Sequence, residues 1–257
     1  MGKVKVFAMA LLASLAQQAW AVGGLAEVAV FDRSEGRRLP VYWHEGRAWV
    51  VGKPGNEYRI SVRNRRGEDL LAVMSVDGIN VVTGETASPR QSGYVLAASR
   101  AVEVKGWRKS LERTAAFYFT ELPDSYAART GRPEHVGVIG VALYQRKRSE
   151  PPVDIAPLSR RAVPQSADAE SASGAARAEI QSRPAERDAK LGTGHGRSES
   201  SHARTVDFER ASSTPAETIA LYYDSYRNLV ARGVIRGPRP FDPAPRPFPG
   251  FVPDPQG

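Results

Sequence analysis

The chain has 257 residues, 36 Lys+Arg against 28 Asp+Glu, four His and no Cys. That length allows one large domain or two small ones. The lack of cysteine excludes structural disulfides, thiol nucleophiles, cysteine-ligated zinc and iron–sulfur clusters. The +8 charge resembles that of a nucleic-acid binder until it is located along the chain.

Residues 1–21 read MGKVKVFAMALLASLAQQAWA. Lys3 and Lys5 precede an uncharged, mostly apolar run from Val6 to Ala16, and Ala19-Trp20-Ala21 puts small residues where a signal peptidase reads them. The run is about 11 residues, short of the roughly 20 a membrane-spanning helix needs. The pattern predicts a secretory signal peptide over 1–21, cleavage after Ala21, and a periplasmic or secreted destination. Residues 26–148 carry 20 Lys+Arg and 14 Asp+Glu, whereas 149–204 and 205–257 are each balanced. An exported protein rarely meets nucleic acid. The expected partners are therefore an anionic envelope polymer, lipid head groups or an envelope protein. The bland alternative is a basic surface that only keeps the chain soluble.

Residues 22–148 predict an antiparallel β-sandwich or barrel-like domain. Leu39–His44 and Arg47–Val51 flank Glu45-Gly46, a two-residue hairpin turn that sets Val41 opposite Val50 and Tyr42 opposite Trp49. Tyr58, Ile60 and Val62 alternate with Arg59, Ser61 and Arg63, the pattern of a strand with one buried face. Asp77-Gly78 joins Leu70–Val76 to Ile79–Thr83 as a second tight hairpin. Further strands are predicted at Gly93–Leu96, Ala101–Lys105, Thr114–Thr120 and Val136–Arg146, with a helical turn from Asp124 ending at Gly131. Turn signals every 8–14 residues or so suit a sandwich or barrel.

Residues 149–204, with no aromatic side chain, predict a disordered linker. Thr214-Pro215-Ala216-Glu217 has the form of a capping box and predicts a helix from Pro215 to Arg232. Its stripe of Ile219, Tyr222, Tyr226, Leu229 and Val230 would dock on the β domain or on a homo-oligomer partner. Residues 237–257 form a Pro-rich tail. The domain expectation is thus 22–148, a linker, a helical segment over 205–236 and the tail.

Catalytic motifs are missing: there is no Gly-x-Ser-x-Gly and no His-Glu-x-x-His, and the four His are too scattered for a metal cluster. The expectation is a non-catalytic module with no cofactor and no metal. The rival reading is an envelope hydrolase with carboxylate acid/base chemistry drawn from Glu57, Asp77, Glu85, Glu103, Glu112 or Asp124. Two groups stand out as binding candidates. In Gly106-Trp107-Arg108-Lys109 a Trp sits beside two cations, either as a stacking platform or as a cap on the core. The Arg59, Arg63, Arg65 and Arg66 stripe, with Tyr42, His44 and Trp49 on a neighbouring hairpin, forms either an anion-binding face or a solvated sheet face. Gly192-Thr193-Gly194-His195-Gly196 follows no predicted strand and reads as flexible linker rather than a nucleotide loop.

The segments LPVYWHEGRAWVV, RISVRNRRGEDLLAVMSVDGINVVTGETA, QSGYVL, GWRKS, AAFYFT and DSYAARTGRP resemble a family of uncharacterised exported proteins of Gram-negative proteobacteria. The GTGHGR and YYDSYRNLVARGVI segments look like that family's C-terminal part. No activity, cofactor or catalytic residue comes with the resemblance. It implies location in the bacterial envelope.

Overall fold

The computed structural model describes residues 21–148 and 190–237. The expected signal peptide, the 149–189 part of the linker and the Pro-rich tail from 238 onward lie outside the described residues. The chain is mainly β, in two seven-stranded sheets.

The first sheet runs β1 (Ala26–Asp32) beside β2 (Arg37–Arg38) on one side and β5 (Glu57–Asn64) on the other. Beyond β5 lie β11 (Arg113–Glu121) and, at the edge, β13 (Leu191–Ser200). Two short strands fill the wedge between β5 and β11: β9 (Ala101–Val104) pairs with β5, and β10 (Gly106–Arg108) pairs with β11. The second sheet is ordered β3 (Val41–His44), β4 (Arg47–Gly52), β14 (Glu217–Ser225), β12 (Val138–Gln145), β6 (Leu70–Val76) and β7 (Ile79–Asn80), with β8 (Tyr94–Leu96) also on β6. Every pair is antiparallel except β14 on β4.

Both hairpins fold as their turn residues require. Glu45 and Gly46 have φ of 48° and 71°, Asp77 and Gly78 of 53° and 72°, and Val41 pairs with Val50 and Tyr42 with Trp49. Alternation then sends one face of each sheet into a single buried cluster. Val28, Val30, Tyr58, Ile60, Phe117 and Phe119 enter it from the first sheet. Val50, Met74, Val76, Ile139, Val141 and Leu221 enter it from the second. A short helix α1 (Tyr126–Arg129), capped by Ser125, stands where one helical turn was expected, and Gly131 ends it at φ 74°.

Two expectations are corrected. The linker does not extend to 204, because Leu191–Ser200 is a strand bonded along β11. Its glycines are there for close approach rather than for flexibility. A Cβ on Gly194 would sit 2.1 Å from the Tyr118 ring, and one on Gly192 would sit 2.6 Å from Ser125. Nor is Pro215–Arg232 a helix. Residues 217–225 form β14, and only α2 (Tyr226–Ala231) is helical. The same letters carry two periods. Ile219, Leu221 and Tyr223 alternate inward at period two, and the slot between β4 and β12 satisfies both ladders of the strand. Glu217 does not cap a helix. Its carboxylate accepts the N–H groups of Gly24 at 2.7 Å and Leu25 at 2.6 Å. The continuous helical stripe expected to dock on the β domain or on a homo-oligomer partner therefore does not form, and Ile219 and Leu229 are buried within their own chain.

Trp107 packs 4.8 Å from the Phe117 ring and 4.9 Å from Tyr126, and it is 3% exposed. Trp43 is 55% exposed. Urea unfolding of Trp107→Ala should therefore show a loss of about 3–5 kcal/mol, whereas Trp43→Ala should stay within about 0.5 kcal/mol of wild type. Equal losses would contradict this packing.

Candidate anion-binding cleft

The residues proposed from sequence do not form one face. Tyr58, Ile60 and Val62 fill the core, so Arg59 and Arg63 project from the outer face of the first sheet. Ala48 and Val50 fill the core, so Tyr42, His44 and Trp49 project from the outer face of the second. On the first sheet several of the cations are neutralised. Arg59 pairs with Glu103 and lies 4.6 Å over the Phe31 ring, and Arg38 pairs with Glu27. Arg33 and Arg197 both bridge Glu57 and Glu199. Arg63, Arg65 and Arg66 are exposed.

Trp107 is a core residue, so it offers no platform. Arg108 is a structural clamp. Its guanidinium donates to the Tyr94 hydroxyl at 3.0 Å and to the Ser110 and Ser201 carbonyls at 3.0 and 2.8 Å. Lys109 is exposed, and His195, itself on the surface, is held below the usual histidine range first by partial desolvation and then by the Lys109 charge. The carboxylates of the hydrolase reading are dispersed among other partners. Glu57 is held below its ordinary range by the Arg197 guanidinium, Glu103 meets Arg59, and Glu85 accepts from Gln91. Among the described residues no group of three or more His, Asp and Glu is arranged to hold a metal ion.

What the second sheet does assemble is a cleft of about 310 Å³, lined by Arg47, Trp49, His135, Lys190, Tyr222 and Arg232 among others. The parallel register of β14 on β4 puts Tyr222 beside Trp49, ring centres 5.1 Å apart. Arg47 lies 5.5 Å from the centre of the Tyr222 ring, and Arg232, at the end of α2, lies 5.7 Å from that of Trp49. The aromatic pair thus orients two guanidinium groups by cation–π contact. Lys190 enters from the residue before β13. Its ammonium is held below the usual lysine range, first by burial and then by the Arg232 charge.

Arg232 is shared with Asp224, at 3.3 Å. Asp224 is buried and also accepts from Ser225 N and Asn228 Nδ2 at 2.8 and 2.7 Å. Arg47 and Lys190 have no carboxylate ion-pair partner among the described residues. Two cations beside a third, in a partly desolvated cleft that Glu134 and Asp224 also line, have the chemistry to pair with a carboxylate or phosphate.

Behind the cleft lies a buried polar chain. Asp77 accepts from Gly137 N at 2.9 Å, from Thr193 N at 2.8 Å and from the Tyr223 hydroxyl. Thr193 Oγ1 is 2.6 Å from the Tyr223 hydroxyl and 2.6 Å from that of Tyr58. Gly137 and Tyr223 also line the cleft, so the carboxylate holds its inner wall. Burial raises the Asp77 carboxyl from 3.8 to about 6, against the opposing effect of its hydrogen bonds.

Sequence reasoning singled out Trp49 but not Arg47, Lys190, Tyr222, Asp224 or Arg232 as site residues. The signal was the period-two run Tyr222-Tyr223-Asp224, which a helical reading scrambles. No family model, curated protein or solved structure matches the chain.

Between about pH 4 and 6 the folded chain retains a proton on Asp77 that the unfolded chain has released. Its contribution to stability therefore falls as pH rises through that window, by at most about 3 kcal/mol. Urea unfolding at several pH values should show the advantage of wild type over Asp77→Asn shrinking from pH 4 to 6. Parallel pH profiles for the two proteins would contradict it.

Proposed function

We propose that this chain is a non-catalytic exported module of the bacterial envelope, a β-sandwich that binds an anionic envelope component through the Arg47–Lys190–Arg232 cleft. The observation that carries the reading is the convergence of Arg47 and Lys190, unpaired with any carboxylate among the described residues, on one aromatic-walled cleft. The signal-like segment over 1–21 and the localised basic charge support an envelope setting. The basic β region expected from the charge count narrows to this cleft, because Arg33, Arg38 and Arg59 of the other sheet have acidic partners, and the unpaired Arg63, Arg65 and Arg66 there stand exposed rather than in a cleft. An isolated cation–anion contact at 4 Å is worth about 4 kcal/mol near a protein surface and about 1 kcal/mol in bulk water. A half-buried Lys190 is therefore worth more to an anion than a solvated arginine on an open sheet.

The test is co-sedimentation of the purified chain with cell-wall sacculi and with lipopolysaccharide vesicles. Binding to one of them at low ionic strength should weaken several-fold as salt rises from about 50 to about 200 mM. Arg47→Glu and Lys190→Glu should each weaken it about tenfold or more, a change of about 1.4 kcal/mol. Arg59→Glu, on the opposite sheet, should bind like wild type. Salt-insensitive binding, or none to either material, would reject the proposal.

A further inference from the structure

We infer that the corner of the first sheet carrying Arg63, Arg65, Arg66 and Arg100 is a docking surface for an anionic lipid bilayer, whose head-group phosphates meet the four guanidinium groups together. The surface is separate from the cleft and does not rest on it; only the envelope setting is shared with the reading above.

Two turns build the corner. β5 ends at Asn64, and the turn after it carries Arg65 and Arg66; the turn before β9 carries Arg100. Backbone bonds join the two: Asn64 N donates to Arg100 O at 2.8 Å, and Ser99 N to Arg66 O at 3.1 Å. Arg63 pairs in register with Ala101. The Asn64 side chain, 1% exposed, completes the join. Its Nδ2 donates to Glu68 O at 2.8 Å and to Leu96 O at 3.0 Å, and its Oδ1 accepts from Arg66 N at 2.8 Å. One buried amide thus satisfies backbone groups of both turns and holds the four arginines on adjoining stretches of backbone.

Their charge is not answered within the fold. All four are exposed, and among the described residues none of their guanidinium groups has an ion pair, hydrogen bond or ring contact. The acids on adjoining positions are already matched by other cations. Glu27, the cross-strand neighbour of Arg63, pairs with Arg38, and Glu103 pairs with Arg59. Glu68 and Asp69, which complete the turn after β5, pair with Arg148 and Arg146.

The absence of a wall around these arginines decides the partner. None of them lines either cleft beside β14. Solvated side chains on two turns cannot enclose one small anion, but a plane of phosphates meets all of them at once. Guanidinium groups suit phosphate oxygens, which accept two parallel N–H bonds. Each arginine brought near an anionic leaflet raises partitioning about fivefold, and the gains multiply. Arg38 and Arg59 add less, because each brings a carboxylate with it.

The experiment is co-sedimentation of the full chain with phosphatidylglycerol vesicles and with phosphatidylcholine vesicles. Only the former should bind, and binding should weaken several-fold as salt rises from about 50 to about 200 mM. Arg65→Ala and Arg100→Ala should each lower partitioning about fivefold, and Arg65→Ala with Arg66→Ala about twentyfold. Arg129→Ala removes the same charge at the other end of the sheet, since α1 follows the end of β11 that lies beside the start of β5, and it should bind like wild type. Equal binding to both lipids, binding to neither, or an Arg129→Ala loss as large as that of Arg65→Ala would overturn the inference and leave the cleft untouched. Vesicle binding abolished by Arg47→Glu but kept by the Arg65→Ala/Arg66→Ala protein would assign it to the cleft instead. Tighter binding of inorganic polyphosphate than of vesicles through the same arginines would make the partner a soluble polyanion and overturn the lipid assignment.

Discussion

A carboxylate buried between two sheets is costly unless every lone pair finds a donor. Asp77 meets that constraint with groups drawn from distant parts of the chain. Gly137 N belongs to the turn before β12, Thr193 N to β13, and the Tyr223 hydroxyl to β14. Thr193 passes the connection on to Tyr58 of β5, so the polar chain reaches from one sheet to the other. Its four side chains, Asp77, Thr193, Tyr223 and Tyr58, are among the most buried of the described residues. Register follows from this, because a shift of β14 by one residue would turn Tyr223 outward and Tyr222 inward.

The cleft depends on that register. With Tyr223 held inward, Tyr222 and Asp224 face outward beside Trp49 and take up Arg47 and Arg232. The parallel pairing of β14 with β4 requires a long connection, and the strands from β5 to β13 all lie between the two in sequence. Lys190 and Arg232 thus reach the site from either end of the C-terminal described segment, next to a hairpin from the beginning of the chain. A site built this way forms only when the whole fold has formed.

Electrostatics separates the two outer faces. The first sheet has cations and acids interleaved across neighbouring strands, and its solvated ion pairs are worth little individually. Both sheets leave cations without carboxylate partners among the described residues, Arg63, Arg65 and Arg66 on the first and Arg47 and Lys190 by the second, but only the second partly desolvates one of them, Lys190, in a cleft. A count of charges along the sequence favours the first face, because Arg59, Arg63, Arg65 and Arg66 crowd together. The cleft and the desolvation of Lys190 favour the second.

Much of the fold was legible. The tight turns at Glu45-Gly46 and Asp77-Gly78, the pairing of Tyr42 with Trp49 and most strand positions are dictated locally, by turn chemistry and by alternation. What failed, failed where local signals conflict or are weak. Residues 217–225 fit a helical stripe and a strand equally well, and the choice falls to an open slot between β4 and β12. Residues 191–200 have the glycines of a linker, and only the Tyr118 ring lying against Gly194 shows why glycine is needed there. Asp77 was explained by its turn alone, although its main burden is to bind residues as distant in sequence as Thr193 and Tyr223. The sequence by itself determined the class of structure, the hairpins and the side of each strand that is apolar, since these depend on neighbours a few residues apart. Tertiary structure decided which sheet each strand joins, which arginines are neutralised and where the remaining positive charge converges. Those outcomes depend on contacts between residues far apart along the chain, which no local pattern encodes.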